Sequence, residues 1–190
     1  KSAGPAWLSV DSTSGHLSGV PQVSDLGDTS VAVRVTDGVG GAANRTYSLR
    51  VVHTNHSPTF VSSPDTIATE DSLYSYRARA TDRDSALFGD QVRYRLTVKP
   101  SWLTIDNTSG IVSGTPAAAN ARDTVVAVEA FDGKGGVHVQ QYGLKVRHVN
   151  HPPIIAATTL PDAKEDSLLR AQVVAHDQDS LLFGDKRTLF

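Results

Sequence analysis

Polar and apolar residues alternate along much of the chain. Tyr74, Tyr76, Ala78 and Ala80 are separated by Ser75, Arg77 and Arg79. Val92, Tyr94, Leu96 and Val98 are separated by Arg93, Arg95 and Thr97 in the same way. Side chains two apart share one face of a pleated strand, so both stretches predict half-buried β-strands. Tyr142, Leu144 and Val146 repeat this period, as do Tyr47, Leu49 and Val51. Val31 to Val35 and Val125 to Phe131 are rich in Val and Ala, the composition of a strand buried on one or both faces. No stretch combines a helical period with caps.

Turn residues punctuate these strands. Asp37-Gly38-Val39-Gly40-Gly41 and Asp132-Gly133-Lys134-Gly135-Gly136 predict hairpin loops in which glycine supplies positive φ. Asn107-Thr108-Ser109-Gly110 predicts another turn. Short strands at this spacing predict an antiparallel β-sandwich of immunoglobulin-like size.

The pattern occurs twice. Aligned without a gap, residues 1–95 and 96–190 are identical at 39 of 95 positions. Trp7 meets Trp102, Gly19-Val20-Pro21 meets Gly114-Thr115-Pro116, and Asp82-Arg83-Asp84-Ser85 meets Asp177-Gln178-Asp179-Ser180. Such self-similarity marks tandem duplication. The polar segments 53–58 and 148–153 follow the last strand of each copy and end in Pro, so they read as inter-domain linkers. The expected domains are the C-terminal part of one repeat (1–54), one whole repeat (58–149) and the N-terminal strands of a third (153–190). Residue 190 also runs in phase into residue 1. The expectation is one period of a longer array, with copies meeting head to tail in one polypeptide or as subunits completing each other's sandwiches. Part-domains would otherwise expose strand edges and half a core.

Composition narrows the function. With 18 Lys+Arg against 20 Asp+Glu, the net charge of -2 gives no reason to expect nucleic acid or an anionic membrane. No apolar run approaches the roughly 20 residues of a membrane span. Zero Cys excludes disulfides, thiolate metal sites and cysteine nucleophiles.

The motifs resemble cadherin-like repeats, and most of all the dystroglycan-type cadherin-like, or "putative Ig", tandem-95 repeats of large bacterial surface proteins. The resemblance rests on Pro100-Ser101-Trp102-Leu103-Thr104-Ile105-Asp106, Ser109-Gly110, Ser113-Gly114-Thr115-Pro116, Glu129-Ala130-Phe131-Asp132-Gly133 and Val149-Asn150-His151-Pro152-Pro153. It implies an all-β chain of Ig-like, Greek-key antiparallel sandwiches joined end to end. It also implies calcium at the joints. The family's acids are similar to Glu70 and Glu165, to Asp82 and Asp84 with their copies Asp177 and Asp179, and to Asp37 and Asp132. The linker pattern departs from the family's, since His53, His56, His148 and His151 stand where Asp is usual. The implied ligand sets are Asn55, Asp82, Asp84 and Asp132 at the first linker, and Glu70, Asn150, Asp177 and Asp179 at the second.

Other chemistry is weighed beside this. Calcium needs about six to eight oxygens, which clustered carboxylates and amides can provide. The alternative is that these acids are polar turn residues capping strand ends. Asp82 does not open an EF-hand loop, because Leu87 stands where that loop needs Gly. His-x-x-His spacing suits zinc poorly in an extended linker, where positions three apart point to opposite faces. Hydrogen bonds across the joint, with some pH sensitivity, are the favoured role. Trp7 and Trp102 could stack on sugar, but a core position beside Leu8 or Leu103 is favoured. The glycine loops lack the helix and Lys of a phosphate cradle. No Ser-His-Asp grouping repeats. Asn44, Asn55 and Asn107 open glycosylation acceptor patterns, relevant only in a glycosylating host.

The expectation is a non-enzymatic structural repeat of the cell exterior: a fibre or filament subunit or adhesin stalk, stiffened by Ca2+. Its partners would be further copies of the repeat. The alternative is a carbohydrate-binding module with polysaccharide as partner.

Overall fold

The computed structural model describes residues 1–156 and 159–185. Strands dominate, in the order β1 (Ser9–Val10), β2 (Leu17–Ser18), β3 (Gly27–Thr36), β4 (Ala42–Val51), β5 (Thr59–Phe60), β6 (Ile67–Thr69), β7 (Tyr74–Arg77) and β8 (Ala80–Thr81). A single helical turn, α1 (Ser85–Phe88), precedes β9 (Arg93–Val98), β10 (Thr104–Ile105), β11 (Ile111–Gly114), β12 (Asp123–Phe131), β13 (Val137–Arg147), β14 (Ile154–Ile155) and β15 (Ala175–His176). That turn is absent from the strand-only expectation. It is too short for a helical period to show, and it ends at Gly89 in the left-handed conformation (φ 71°).

The chain divides into two units, Lys1–Asn55 and His56–Phe190. In the second, one sheet runs β6-β13-β12-β9 and another runs β10-β11-β7. β12 and β13 form a long antiparallel hairpin from Asp123↔Lys145 to Phe131↔Val137. β6 joins β13 in parallel, whereas β7 crosses to pair with β11. β6 and β7, consecutive in sequence, therefore lie in opposite sheets, as in an immunoglobulin-like sandwich.

The core lies between the two sheets. Tyr74 and Tyr76 of β7, with Leu103 and Val112, face Val126, Val128, Tyr142 and Leu144. Exposure alternates along β13 from Gln141 to Arg147, as its period of two requires. Tyr76 and Tyr142 meet edge to face, with ring centroids 6.1 Å apart. The Tyr76 hydroxyl donates to Gln140 Oε1 at 2.7 Å, so the polar tip is satisfied inside the sandwich. Burial pushes the hydroxyls of Tyr74 and Tyr142 up from the usual phenol value. Trp102 packs against the same core, edge to face with Tyr74 at 6.3 Å.

The first unit has the hairpin β3–β4 and the short pair β1–β2. Only Leu8 and Val31 of its larger apolar residues are buried. Trp7, Leu17, Pro21, Val31, Tyr47 and Leu49 line an apolar groove. Their counterparts in the second unit show what is missing. Tyr47 is 48% exposed and its counterpart Tyr142 8%; Leu17 is 46% exposed and its counterpart Val112 0%. Segments 52–58 and 148–153 are irregular, as linkers require.

Candidate functional site

Four groups of titratable side chains, some sharing members, stand among the described residues of the second unit. The first joins Asp82, Asp90 and Asp132, each offering one carboxylate oxygen within 4.8 Å of the others. Asp82 follows β8, and its Oδ1 accepts the N–H of Asp84 at 2.8 Å. This turn starts α1, and Gly89 then reverses the chain to deliver Asp90. Asp132 ends β12. Its Oδ1 accepts the N–H groups of Lys134 at 2.7 Å and Gly136 at 2.9 Å, which folds the glycine loop around the carboxylate. A Cβ at Gly136 would lie 2.1 Å from Asp132 Oδ2, so the loop closes only with glycine there.

This cluster carries a cation of its own. The Lys134 ammonium is ion-paired with Asp90 Oδ1 and donates to the carbonyl of Phe88 at 3.2 Å. Asp82 Oδ2 and Asp90 Oδ2 are buried and have no donor among the described residues. Lone pairs in that position suit a hard cation.

Asp84 does not join this cluster. It is buried, accepts the N–H of His56 at 2.6 Å, and has the His56 Nδ1 3.0 Å from Oδ1. The second linker repeats the lock. The N–H of His151 donates to Asp179 Oδ2, with His151 Nδ1 3.3 Å from Oδ1. In both linkers a histidine, where the resembling family has Asp, thus holds the second acid of Asp-x-Asp. The backbone donor keeps the Asp179 carboxyl below the usual carboxylate range, and Asp179 in turn raises His151 above the ordinary histidine value.

The second group joins Glu70, His148 and Asp179. Glu70 follows β6 and is 1% exposed; Asp179 is wholly buried. His148 Nδ1 lies 2.6 Å from Glu70 Oε2, which also accepts the N–H of Val149 at 3.2 Å. His148 Nε2 lies 3.7 Å from Asp179 Oδ2, and Phe183 stacks on the imidazole at 3.5 Å. His151 Nε2 faces Asp71 at 3.1 Å. Asp177, Asp179 and Asp185 form an adjoining acidic group that repeats the Asp82–Asp90 arrangement.

Of the residues named from sequence, Asp82 and Asp132 stand together, as do Glu70 and Asp179, with Asp177 beside Asp179. Asn150 is exposed. Asn55 is the last residue of the first unit, outside the unit that carries the others. Asp90, Asp185 and Lys134 are additional, while His148 and His151, read from the sequence as hydrogen-bonding linker residues, meet Glu70 and Asp179. Asp90 and Asp185 had a signal in the repeated Leu-Phe-Gly-Asp, whose glycine aims the acid back at the cluster.

Facing sheets with crossed strand order, a sequence repeated in tandem and acidic side chains gathered beside the linkers define an immunoglobulin-like or cadherin-like repeat protein. The chain belongs to the family described as Putative Ig domain, matched over residues 1–52 and 57–147. It is 30% identical over 131 residues to the "Serine-rich adhesin for platelets" of Staphylococcus aureus (strain USA300), covering 69% of this chain and 5% of that protein. Among solved structures, mouse Cadherin-23 EC22-24 is similar over 92% of this chain and 62% of that one, with 17% identity and a TM-score of 0.48. The SrpA adhesin from Streptococcus sanguinis covers 56% of this chain and 67% of its own at 19% identity, TM-score 0.41. Among the described residues no helix is long and apolar enough to cross a membrane.

Proposed function

We propose that this chain is a non-enzymatic structural segment of an extracellular adhesin-type protein, a stalk or fibre of sandwiches in series. Repeats would follow the bounds 1–54, 58–149 and 153–190, each part-domain completed head to tail by a neighbouring repeat. The observation that carries this reading is the apolar groove of the first unit. It is built from the same residues that Tyr74, Tyr76 and Tyr94 cover in the second. Residues 159–185 expose Leu169 and Val173, the equivalents of the buried Tyr74 and Ala78. Burying such surfaces in a heterologous contact propagates a filament. Membership of a family of tandem repeats and the similarity to a staphylococcal adhesin support the same reading.

The reading includes calcium at the oxygen-only cluster of Asp82, Asp90 and Asp132, where two buried oxygens await a donor. Sedimentation velocity over a wide concentration range tests the head-to-tail part. Concentration-dependent end-to-end species are expected, and one invariant monomer at all concentrations overturns it. Calorimetry with Ca2+ tests the cluster: saturable heat lost in Asp90→Asn is expected, and no heat in the parent chain removes calcium from the reading.

A further inference from the structure

Two clusters of the second unit differ in donor chemistry. The first is all oxygen. The second places an imidazole between two buried carboxylates, with Nδ1 toward Glu70 and Nε2 toward Asp179. We propose that Glu70, His148 and Asp179 form a site for a borderline divalent cation of the zinc class. The proposal rests on reading the second linker as a cation-holding joint, and it changes which cation is held there.

Four features support it. A nitrogen with two carboxylate oxygens is a three-ligand set of the kind zinc takes with a fourth position open, whereas calcium wants six to eight oxygens. Glu70 Oε1 is buried and accepts no hydrogen bond from any described residue, so a lone pair in this cluster lacks a partner. The surrounding shell holds the ligands in place. Val149 N–H fixes Glu70, His151 N–H fixes Asp179, and Phe183 stacks on the His148 ring. The ligand atoms already lie within 4.8 Å of one another, so a modest contraction brings them to one ion.

The ligands come from the turn after β6, from the linker after β13 and from the loop after β15. Metal binding would therefore tie the start of the third repeat to the body of the second.

The test uses the 190-residue chain with ZnCl2 alone, followed by calorimetry and thermal unfolding. Saturable binding and a raised unfolding midpoint are expected. Both should be reduced at least tenfold in affinity by His148→Asn and, separately, by the near-isosteric Glu70→Gln. Cobalt(II) should give the intense visible absorption of low coordination number in the parent chain and lose it in Glu70→Gln. The proposal is overturned if both variants bind zinc like the parent, which would assign the ion to other surface histidines. It is equally overturned if equimolar Ca2+ displaces the zinc. Asp90→Asn separates this site from the calcium cluster, since it should abolish calcium heat and leave the zinc isotherm unchanged.

Discussion

At the residue scale, the Gly-x-Pro motif has a steric cause. A Cβ on Gly114 would lie 2.1 Å from the carbonyl oxygen of Trp102, and one on Gly19 would lie 2.0 Å from that of Trp7. The chain after the tryptophan crosses its own backbone too closely for any side chain. Gly114→Ala should therefore destabilise the second unit by about 2–4 kcal/mol, measured by urea unfolding. Asp106 shows the turn chemistry. Its Oδ1 accepts the N–H groups of Thr108 at 3.1 Å and Ser109 at 2.7 Å, and these donors lower its carboxyl below the usual range. A depressed folded-state value means stabilisation that is full above the ordinary carboxylate value and lost as pH falls through the lowered one. NMR titration should place Asp106 below the ordinary value of about 3.9. Asp106→Asn should remove that part of the acid dependence of unfolding; an unchanged acid limb would contradict the assignment. The motif residues themselves were legible in the sequence. The carbonyl that excludes a Cβ was not, because it depends on how closely two strands cross.

At the element scale, the β12–β13 hairpin combines packing with charge. Its strands were legible from the alternation of Tyr142, Leu144 and Val146, whose burial follows that period. The role of its loop was not. Lys134 had no counterpart among the repeated motifs, since Val39 stands at the same place in the first copy. Yet it reaches back to Asp90, whose side chain is wholly buried. Lys134→Met should leave that carboxylate without its cation. The expected cost is about 1–3 kcal/mol in chelator, discounted because the lysine is 46% exposed. The same change should tighten calcium binding severalfold, because the ammonium no longer competes for the oxygens. Weaker calcium binding in this variant would show that Lys134 supports the site instead of guarding it.

At the scale of the whole molecule, the tandem repeat provides an internal control. Leu49 and Leu144 occupy equivalent positions, but Leu144 is wholly buried and Leu49 only partly. Leu144→Ala should cost about 2–5 kcal/mol. Leu49→Ala should cost about 1–2 kcal/mol while its groove is open, because less apolar surface leaves water there. Denaturant unfolding followed at each unit reads both values, and equal costs would mean that the groove is covered in solution.

The sequence by itself determined the period of 95, the strands, the glycine turns and the identity of the core face, because these depend on spacing along the chain. Its resemblance to cadherin-like repeats also supplied Asp82, Asp132, Glu70 and Asp179 as candidates. Only the tertiary structure decided the company each keeps. Asp84 and Asp179 are held by His56 and His151 across a separation of 28 residues. Asp90 and Lys134, 44 apart, meet over Asp82 and Asp132. His148 reaches Glu70 from 78 residues away. Strand periodicity fixes which face a side chain occupies, but loops have no such period. Which loop ends meet is set by strands that cross between sheets, and in this chain the clustered acids lie in those loops.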